Sequence, residues 1–446
     1  LARFERAGPD VVVLVGGVDG GASTRMVDLA SILGLAFQVA DVQPRPSVIY
    51  AGNTAMRAGV QTALGGAGDV GARPAAPLQM VENVRPSMEV ENPGPLAEAL
   101  QALYAERKLH RLPGMGAMAA WSRVPILPSA RASGYALAYL SARYGLDVIG
   151  LDVGAAHCSV VWASEGRFDL VSRADWGVTA GQRIADERGL DRLLRWAPEE
   201  CSVDEAMQVI VNRDLYPTSV PGGRREVQLA QALAREALIP LLAEARERAG
   251  RAGRAGEAEP RPDLIVLSGS TLCHAPHPGQ AALMALDAVQ PVGVSSLVLD
   301  SFAALPLAGA LAGVEPLAAA QMLEADGFVS LGSVIAPVGR GRPGALALRV
   351  RLTYADGREL EVEVPAGSLE VIPLRPGQKA RLQLRPGRGF DLGWPHRGRA
   401  AEVQVDGGLL GVLVDARGRP LPAGDDVAEF RQLTQQWLRD VGAFSG

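Results

Sequence analysis

The run Gly150-Leu151-Asp152-Val153-Gly154-Ala155-Ala156-His157-Cys158-Ser159-Val160-Val161-Trp162 decides the fold. Val148, Ile149 and Leu151 have the apolar character of a buried strand. Gly154 and the small residues after it mark a tight turn, and Ser159 to Trp162 is a second apolar run. Glu165-Gly166 signals a further reversal before Phe168. The spacing therefore predicts a hairpin of two short strands with a further turn after it. A carboxylate at the end of the first strand, followed by Gly-small-small, is also a way to hold phosphate. Backbone N–H groups in such a turn point at anionic oxygens, and Asp152 stands where Mg²⁺ or an attacking water would be. A plain hairpin with glycine at its corner accounts for the same letters, and both readings stay open at this point.

Around that run lie 446 residues, enough for two or three domains. A hydrophobic fraction of 48% and a charged fraction of 21% are those of an ordinary globular chain. The net charge of −5 argues against a nucleic acid as the main partner. Cys158, Cys201 and Cys273 are odd in number and far apart, which predicts reduced, cytoplasmic thiols rather than a disulfide framework. The histidines show no metal-ligand spacing, and Cys273, His274 and His277 sit together only in a Pro-rich loop. No apolar run is long enough, and free enough of Gly and Pro, to span a bilayer. The chain opens on Leu1 in mid-pattern and reads as a fragment or a processed chain.

Upstream of the hairpin, Pro9-Asp10 leads into Val11 to Val15, an all-apolar run typical of a parallel strand. It ends in Gly16-Gly17-Val18-Asp19-Gly20-Gly21, with Ser23 or Thr24 placed to cap a helix to about Leu33. Val48 to Asn53 repeats the logic, Leu78 to Val84 is a third strand, and helices are expected at 95–110 and 134–144. Downstream, helices are expected at 203–212 and 224–245, with Arg246 to Glu259 a solvated loop. Pro262-Asp263 followed by Leu264 to Leu267 and Ser268-Gly269-Ser270 has the design of Pro9 to Gly17, a weak repeat implying two similar halves. From Ala336 the chain alternates, with a hairpin at Asp356-Gly357 and further strands at 380–384 and 409–414, so 340–420 should form a small antiparallel barrel or sandwich. Asp426 to Val441 is an amphipathic helix with Phe430, Leu433, Trp437 and Leu438 on one stripe, a pattern of core packing.

A glycine loop after a buried strand, an Asp-x-Gly hairpin and a late strand ending in small residues occur here in the order found in actin, Hsp70-type chaperones and sugar kinases. More closely, the chain resembles the MutL/GlmL family, associated with adenosylcobalamin-dependent glutamate mutase and unrelated to the mismatch-repair protein of similar name. The residues that carry the resemblance are Pro9-Asp10-Val11 through Gly21, Val48 to Asn53, Val81-Glu82-Asn83-Val84, Leu112-Pro113-Gly114-Met115, Leu127-Pro128-Ser129, Asp152 to Ala156, and Asp175-Trp176-Gly177-Val178.

The resemblance implies an α/β fold of the actin-like ATPase (ribonuclease H-like) class. Residues 1–145 would be the remainder of a first lobe and 146–335 a second lobe, followed by a β domain at 336–420 and a terminal helix at 421–446. It implies ATP and Mg²⁺ as cofactors and a chaperone that reactivates a mutase by helping to exchange damaged cobalamin. Gly154, Ala155, Ala156, Ser159, Ser268, Gly269, Ser270, Gly16, Gly17 and Asp19 would then contact nucleotide, Asp152 would hold Mg²⁺, and Asp152 and Asp175 would be the acidic groups of the cleft. The chain departs from the family in having His157-Cys158-Ser159 where the family has Thr-Thr-Asp, and in beginning downstream of the family's N-terminal phosphate hairpin.

Each of these residues has a plainer role. Asp152 can cap its own turn, Asp19 can stabilise an Asp-Gly turn, and Asp175 can cap a helix. His157 and Cys158 are adjacent in a strand and point to opposite faces, so they do not form a nucleophile–base pair. A non-hydrolysing adaptor on the same fold is the second functional reading. A small-molecule kinase is the third and lacks a locatable base. Homo-oligomerisation is left open.

Overall fold

Ser47–Tyr50 is buried at all four positions because it is the middle strand of a parallel sheet: β1 (Val11–Leu14), β2 (Ser47–Tyr50) and β3 (Leu78–Met80), in the order β1-β2-β3. The helices Thr24–Val39 and Arg57–Gly65 make the crossovers. Met26, Ala30, Leu33 and Phe37 of the first helix pack on Val48, Tyr50, Val60 and Leu64. That helix runs past Leu33 to Val39, because Ala36 and Phe37 continue its buried face. The computed structural model describes residues 8–21, 24–39, 46–65, 77–122, 124, 126–252, 261–325, 327–339, 341–393, 400–422 and 426–443. The expected capping side chains of Ser23 and Thr24 lie outside what is described. These strands and helices belong to the first of two compact units, Leu1–Ile126.

The second unit, Leu127–Gly446, is built on an eight-stranded sheet. The expected hairpin is β4 (Val148–Val153) and β5 (Cys158–Ser164), and β6 (Arg167–Arg173) extends it past the second turn into an antiparallel meander. Glu165 and Gly166 both take positive φ at the second corner. β7 (Leu264–Ser268) pairs parallel with β4, and β8 (Gly293–Leu299) pairs parallel with β7. The inner order is thus β6-β5-β4-β7-β8 with β5 antiparallel to its neighbours, the ribonuclease H-like arrangement of actin-like ATPases. Helix Ser129–Tyr144 covers one face, where Ala136, Leu137 and Leu140 meet Val148, Val161 and Val266. Helices Arg224–Ala252 and Pro278–Val289 cover the other. β1 and β7 look alike in sequence because both are apolar parallel strands, but β7 is buried whereas β1, at the edge of its sheet, is only half-buried. The likeness does not extend to topology, since β1 belongs to a three-stranded parallel sheet with no meander.

Helix Arg224–Ala252 corrects the expected solvated loop, since Arg246–Ala252 is helical and residues 253–260 lie outside the description. Its arginines reach acceptors beyond the helix: Arg246 donates to the Val289 carbonyl, and Arg248 to that of Leu170 at 3.1 Å.

Beyond β8 the sheet continues through β9 (Val329–Ala336), and the short β10 (Val338–Gly339) follows. β11 (Leu346–Tyr354), β12 (Glu359–Pro365), β14 (Lys379–Pro386) and β16 (Ala401–Asp406) form a separate antiparallel sheet, ordered β12-β11-β14-β16. β13 (Leu369–Ile372) and β17 (Gly411–Asp415) join the large sheet instead, β17 parallel to β9 and β13 antiparallel to β17; β15 (Phe390–Asp391) pairs with β10. Leu348, Val350, Leu382 and Leu384 pack across a shared core on Ile335, Ile372, Val412 and Val414. The alternating region therefore forms one leaf of a sandwich whose other leaf is the end of the large sheet. Arg351 faces outward and pairs with Glu361 across the strands at 2.9 Å. Asp426 Oδ1 caps the last helix, Val427–Asp440, by accepting from the amides of Ala428 and Glu429. Its Phe430, Trp437 and Leu438 are buried in the main core, as a packing stripe requires. None of the described helices is long and apolar enough to cross a membrane.

Candidate functional site

The C-terminal ends of β4, β7 and β8 carry Asp152, Ser268 and Asp300, the place where open α/β sheets bind ligands. Asp152 and Ser268 are register partners. Gly269 follows with φ +81°, and a Cβ there would fall 2.4 Å from Asp152 Oδ1 and 2.5 Å from the Val153 carbonyl oxygen. Conformation and close approach both demand glycine at that position. Ser268 Oγ donates to Asp300 Oδ2 at 3.2 Å, and Asp300 also accepts from the amides of Ala304 (2.6 Å) and Leu305 (3.2 Å). Burial raises the pKa of Asp300 against these hydrogen bonds, and the charge of Asp152 adds to the rise. Cys273 donates to the Asp300 carbonyl at 3.4 Å, and burial pushes its thiol up to about 12, so it is no nucleophile at neutral pH. Ser270 is exposed at the start of the short helix Ser270–Cys273.

The turn between β4 and β5 is locked from below by Gly177, Val178 and Thr179. Their amides donate to the carbonyls of Ala156 (3.2 Å), Gly154 (3.1 Å) and Ala155 (3.0 Å), and Thr179 Oγ1 adds a 2.8 Å bond to Ala155. A Cβ on Gly177 would lie 1.9 Å from the Ala155 carbonyl oxygen, so the two backbones touch. The Gly154 amide closes the hairpin by donating to the His157 carbonyl at 3.0 Å. The amides of Ala155 and Ala156, both exposed residues, donate to no described acceptor. The turn's three carbonyls are thus taken up by the 177–179 segment, while the amides of Ala155 and Ala156 stay unpaired within the described protein, next in the chain to a strand-end carboxylate. At Gly154 itself a Cβ would meet only ordinary contacts, the nearest at 3.5 Å, so neither strain nor packing explains its glycine.

Asp152, 21% exposed, has its Oδ2 3.3 Å from His157 Nε2. The hydrogen bond to Asp152, reinforced by its charge, raises the His157 pKa against burial. Sequence reasoning weighed His157 only against Cys158, although a four-residue turn returns it alongside Asp152. Cys158 points into the core, where burial raises its thiol pKa. Ser159 is buried opposite Asp152 in the β4–β5 register. The carboxylate of Asp175 is engaged by Arg173 and Arg183, both at 3.0 Å, and Arg173 stacks over Trp176. The hydrogen bond from Arg173 leads in lowering the Asp175 pKa. The cap of the following helix, Gly181–Arg188, comes from Asp214, which accepts from the amides of Gly181 (2.8 Å) and Gln182 (3.0 Å). Asp214 and Asp300 carried no local motif and were invisible to sequence reading.

In the first unit, Gly16, Gly17 and Asp19 lie in the loop after β1. Asp19 Oδ1 accepts from the amide of Thr54 (2.8 Å) and from Asn83 Nδ2 (3.0 Å), and these bonds lower its pKa. Asn83 also donates to the Gly17 carbonyl at 2.9 Å. Asn53, fully buried, accepts from the amides of Gly20 and Ala55 and donates to the Gly21 carbonyl at 2.7 Å. Asp19, Asn53 and Asn83 thus tie together the loops after all three strands. Asn53→Ala leaves these groups without partners and should destabilise the first unit by about 2 kcal/mol, read in native-state amide hydrogen exchange of Ser47–Tyr50.

Strand order and crossovers define the class: an α/β protein of the actin-like ATPase fold, with antiparallel sheet added toward the C-terminus. A family model described as MutL protein matches residues 1–326, and the chain belongs to that family. No curated protein matches it. Among solved structures, component A of (R)-2-hydroxyglutaryl-CoA dehydratase from Acidaminococcus fermentans is 11% identical with TM-score 0.20, covering 47% of this chain and 76% of its own. The activator of 2-hydroxyisocaproyl-CoA dehydratase from Clostridium difficile, with bound ADPNP, is 12% identical with TM-score 0.25, covering 52% and 83%. A nucleotide-free acetone carboxylase is 12% identical with TM-score 0.26, covering 75% and 60%. Among the described residues, no three His, Cys, Asp or Glu side chains converge as a metal site.

Proposed function

We propose that this protein is a cytoplasmic, ATP-binding activator or chaperone whose client is an adenosylcobalamin-dependent mutase of the glutamate mutase type. The observation that carries the nucleotide part is the β4–β5 turn, whose unpaired amides at Ala155 and Ala156 follow Asp152 in the chain, with a glycine at 154 that the fold itself does not require. The donor set suits Mg-ATP. A phosphate takes amide donors at such a nest, and Mg²⁺ needs one or two carboxylates because water and phosphate oxygens supply its other ligands. Asp152 would hold the ion, which would neutralise phosphate charge; Gly269, pressed against Asp152, keeps that side of the carboxylate free of any side chain. Family membership supports the client.

Asp152→Ala should weaken Mg-ATP and Mg-ADP binding about tenfold or more in isothermal titration while the melting temperature changes little. Equal affinity for wild type and variant would remove Asp152 from the site. Capture of mutase subunits by this protein in ATP, in ADP and without nucleotide tests the client: dependence on nucleotide supports a switch. Binding that is the same in all three favours a non-hydrolysing adaptor, a reading to which the His157–Asp152 contact lends weight because it engages the carboxylate.

A further inference from the structure

A half-open cavity of about 400 Å³ lies among the N-terminal ends of helices Arg224–Ala252 and Pro278–Val289 and the end of the last helix. Its volume is in the range that holds small organic ligands. Pro198, Pro276, Val227 and Leu438 give it flat apolar walls, and its polar lining is mainly carboxamide: Gln228, Gln231 and Gln280. Gln231 Nε2 donates to Gln280 Oε1 at 3.1 Å, and that oxygen also accepts from the His277 amide. The Gln231 oxygen and the Gln280 NH₂ group are left to the cavity. Gln228 is only 8% exposed, yet its amide makes no hydrogen bond within the protein. That amide therefore opens to the cavity, where a ligand can take both its donor and its acceptor. Arg224 is the charged residue of the lining, and it stands at the rim paired with Glu199 at 3.4 Å.

Carboxamides present a donor and an acceptor side by side, which matches the adjacent acceptor and amino group on the edge of a nucleobase. Apolar walls suit the faces of such a ring, and the lack of interior charge excludes phosphate or carboxylate from the cavity's depth. We infer that this cavity is a nucleobase-type heterocycle site read by Gln228, Gln231 and Gln280. The inference deepens the nucleotide reading and rests on it for taking the heterocycle to be a purine. The phosphates would lie outside the cavity.

Adenosine, which has no phosphate, and tripolyphosphate, which has no base, separate the two claims. Wild-type protein should bind adenosine in titration calorimetry. Gln228→Leu, which keeps the volume and removes the amide, should lose about tenfold in adenosine affinity, with tripolyphosphate binding and the melting temperature unchanged. Gln280→Leu provides the second variant should Gln228→Leu fold poorly. Adenosine binding that both variants leave unaltered, or no adenosine binding beside intact tripolyphosphate binding, overturns the base site and leaves the phosphate nest standing. Loss of tripolyphosphate binding alone overturns the nest.

Discussion

Gly177→Ala should lose nearly all Mg-nucleotide affinity and lower stability as well, whereas Gly154→Ala should lose affinity alone. The contrast follows from what each added methyl group meets. At Gly177 it would stand 1.9 Å from the Ala155 carbonyl oxygen, so either the 176–179 segment or the turn must move. Movement breaks the bonds from Gly177, Val178 and Thr179 to the turn carbonyls, and without them the amides of Ala155 and Ala156 lose their orientation. Overpacking of this kind costs about 1–3 kcal/mol, and the broken hydrogen bonds add to it. At Gly154 the nearest atom would be 3.5 Å away, an ordinary contact, so folding is undisturbed. The methyl group would instead narrow the approach of an anion to the nest. Gly116→Ala is the control for added helix propensity, because a Cβ there meets nothing within 4 Å. Titration calorimetry and thermal unfolding on the three variants decide it: if Gly177→Ala binds ADP as wild type does, the nest is not the phosphate site.

The largest stability loss is expected at Arg417. Its guanidinium, fully buried, reaches Asp287 at 2.7 Å and Asp415 at 2.9 Å and lies over the Trp437 ring at 4.6 Å. Arg235 holds the other oxygen of Asp287 at 2.7 Å, and Arg419 joins Asp415 at 2.8 Å. The cluster therefore joins the long helix, helix Pro278–Val289, the end of β17 and the last helix. Arg417→Met removes one charge and leaves two buried carboxylates short of partners, a change worth about 3–5 kcal/mol in chemical denaturation at neutral pH. The acid limb should move with it. Burial alone would raise the Asp415 pKa, but the charges of Arg417 and Arg419 outweigh it and hold this carboxylate well below the usual range. A depressed carboxylate contributes stability that is present above the unfolded pKa and is lost as pH falls toward the folded value. Without Arg417 that folded value rises, so acid unfolding, followed by circular dichroism, should begin at higher pH than in wild type. An unshifted acid midpoint would mean that Arg419 alone sustains Asp415.

How much of this was legible beforehand depended on the range of the interactions. The hairpin from Val148 to Trp162 and the turn at Glu165-Gly166 could be read because turn glycines and apolar runs are local, and so could the hairpin at Asp356-Gly357 and the buried stripe of the last helix. The helical extension through Ala252 could not. Its composition is that of a solvated loop, and its arginines find carbonyls on Val289 and Leu170 that only folding brings near. The same is true of β13 and β17, whose letters say strand but not which sheet. Their place beside β9 is set by a shared core contributed from both leaves.

For the site, the sequence by itself determined that Asp152 ends a strand, that a glycine and two alanines follow, and that a small-residue turn recurs at Ser268 to Ser270. These are statements about backbone freedom and side-chain size, which amino acid identity encodes directly. The tertiary structure alone decided that Gly177 carries the turn on its own backbone, that His157 is Asp152's partner, that Asp300 underlies Ser268, and that three glutamines from two helices share one cavity. Each of these is a contact between residues distant in the chain or brought round by a turn. Register and packing choose such contacts, and no residue records its partner.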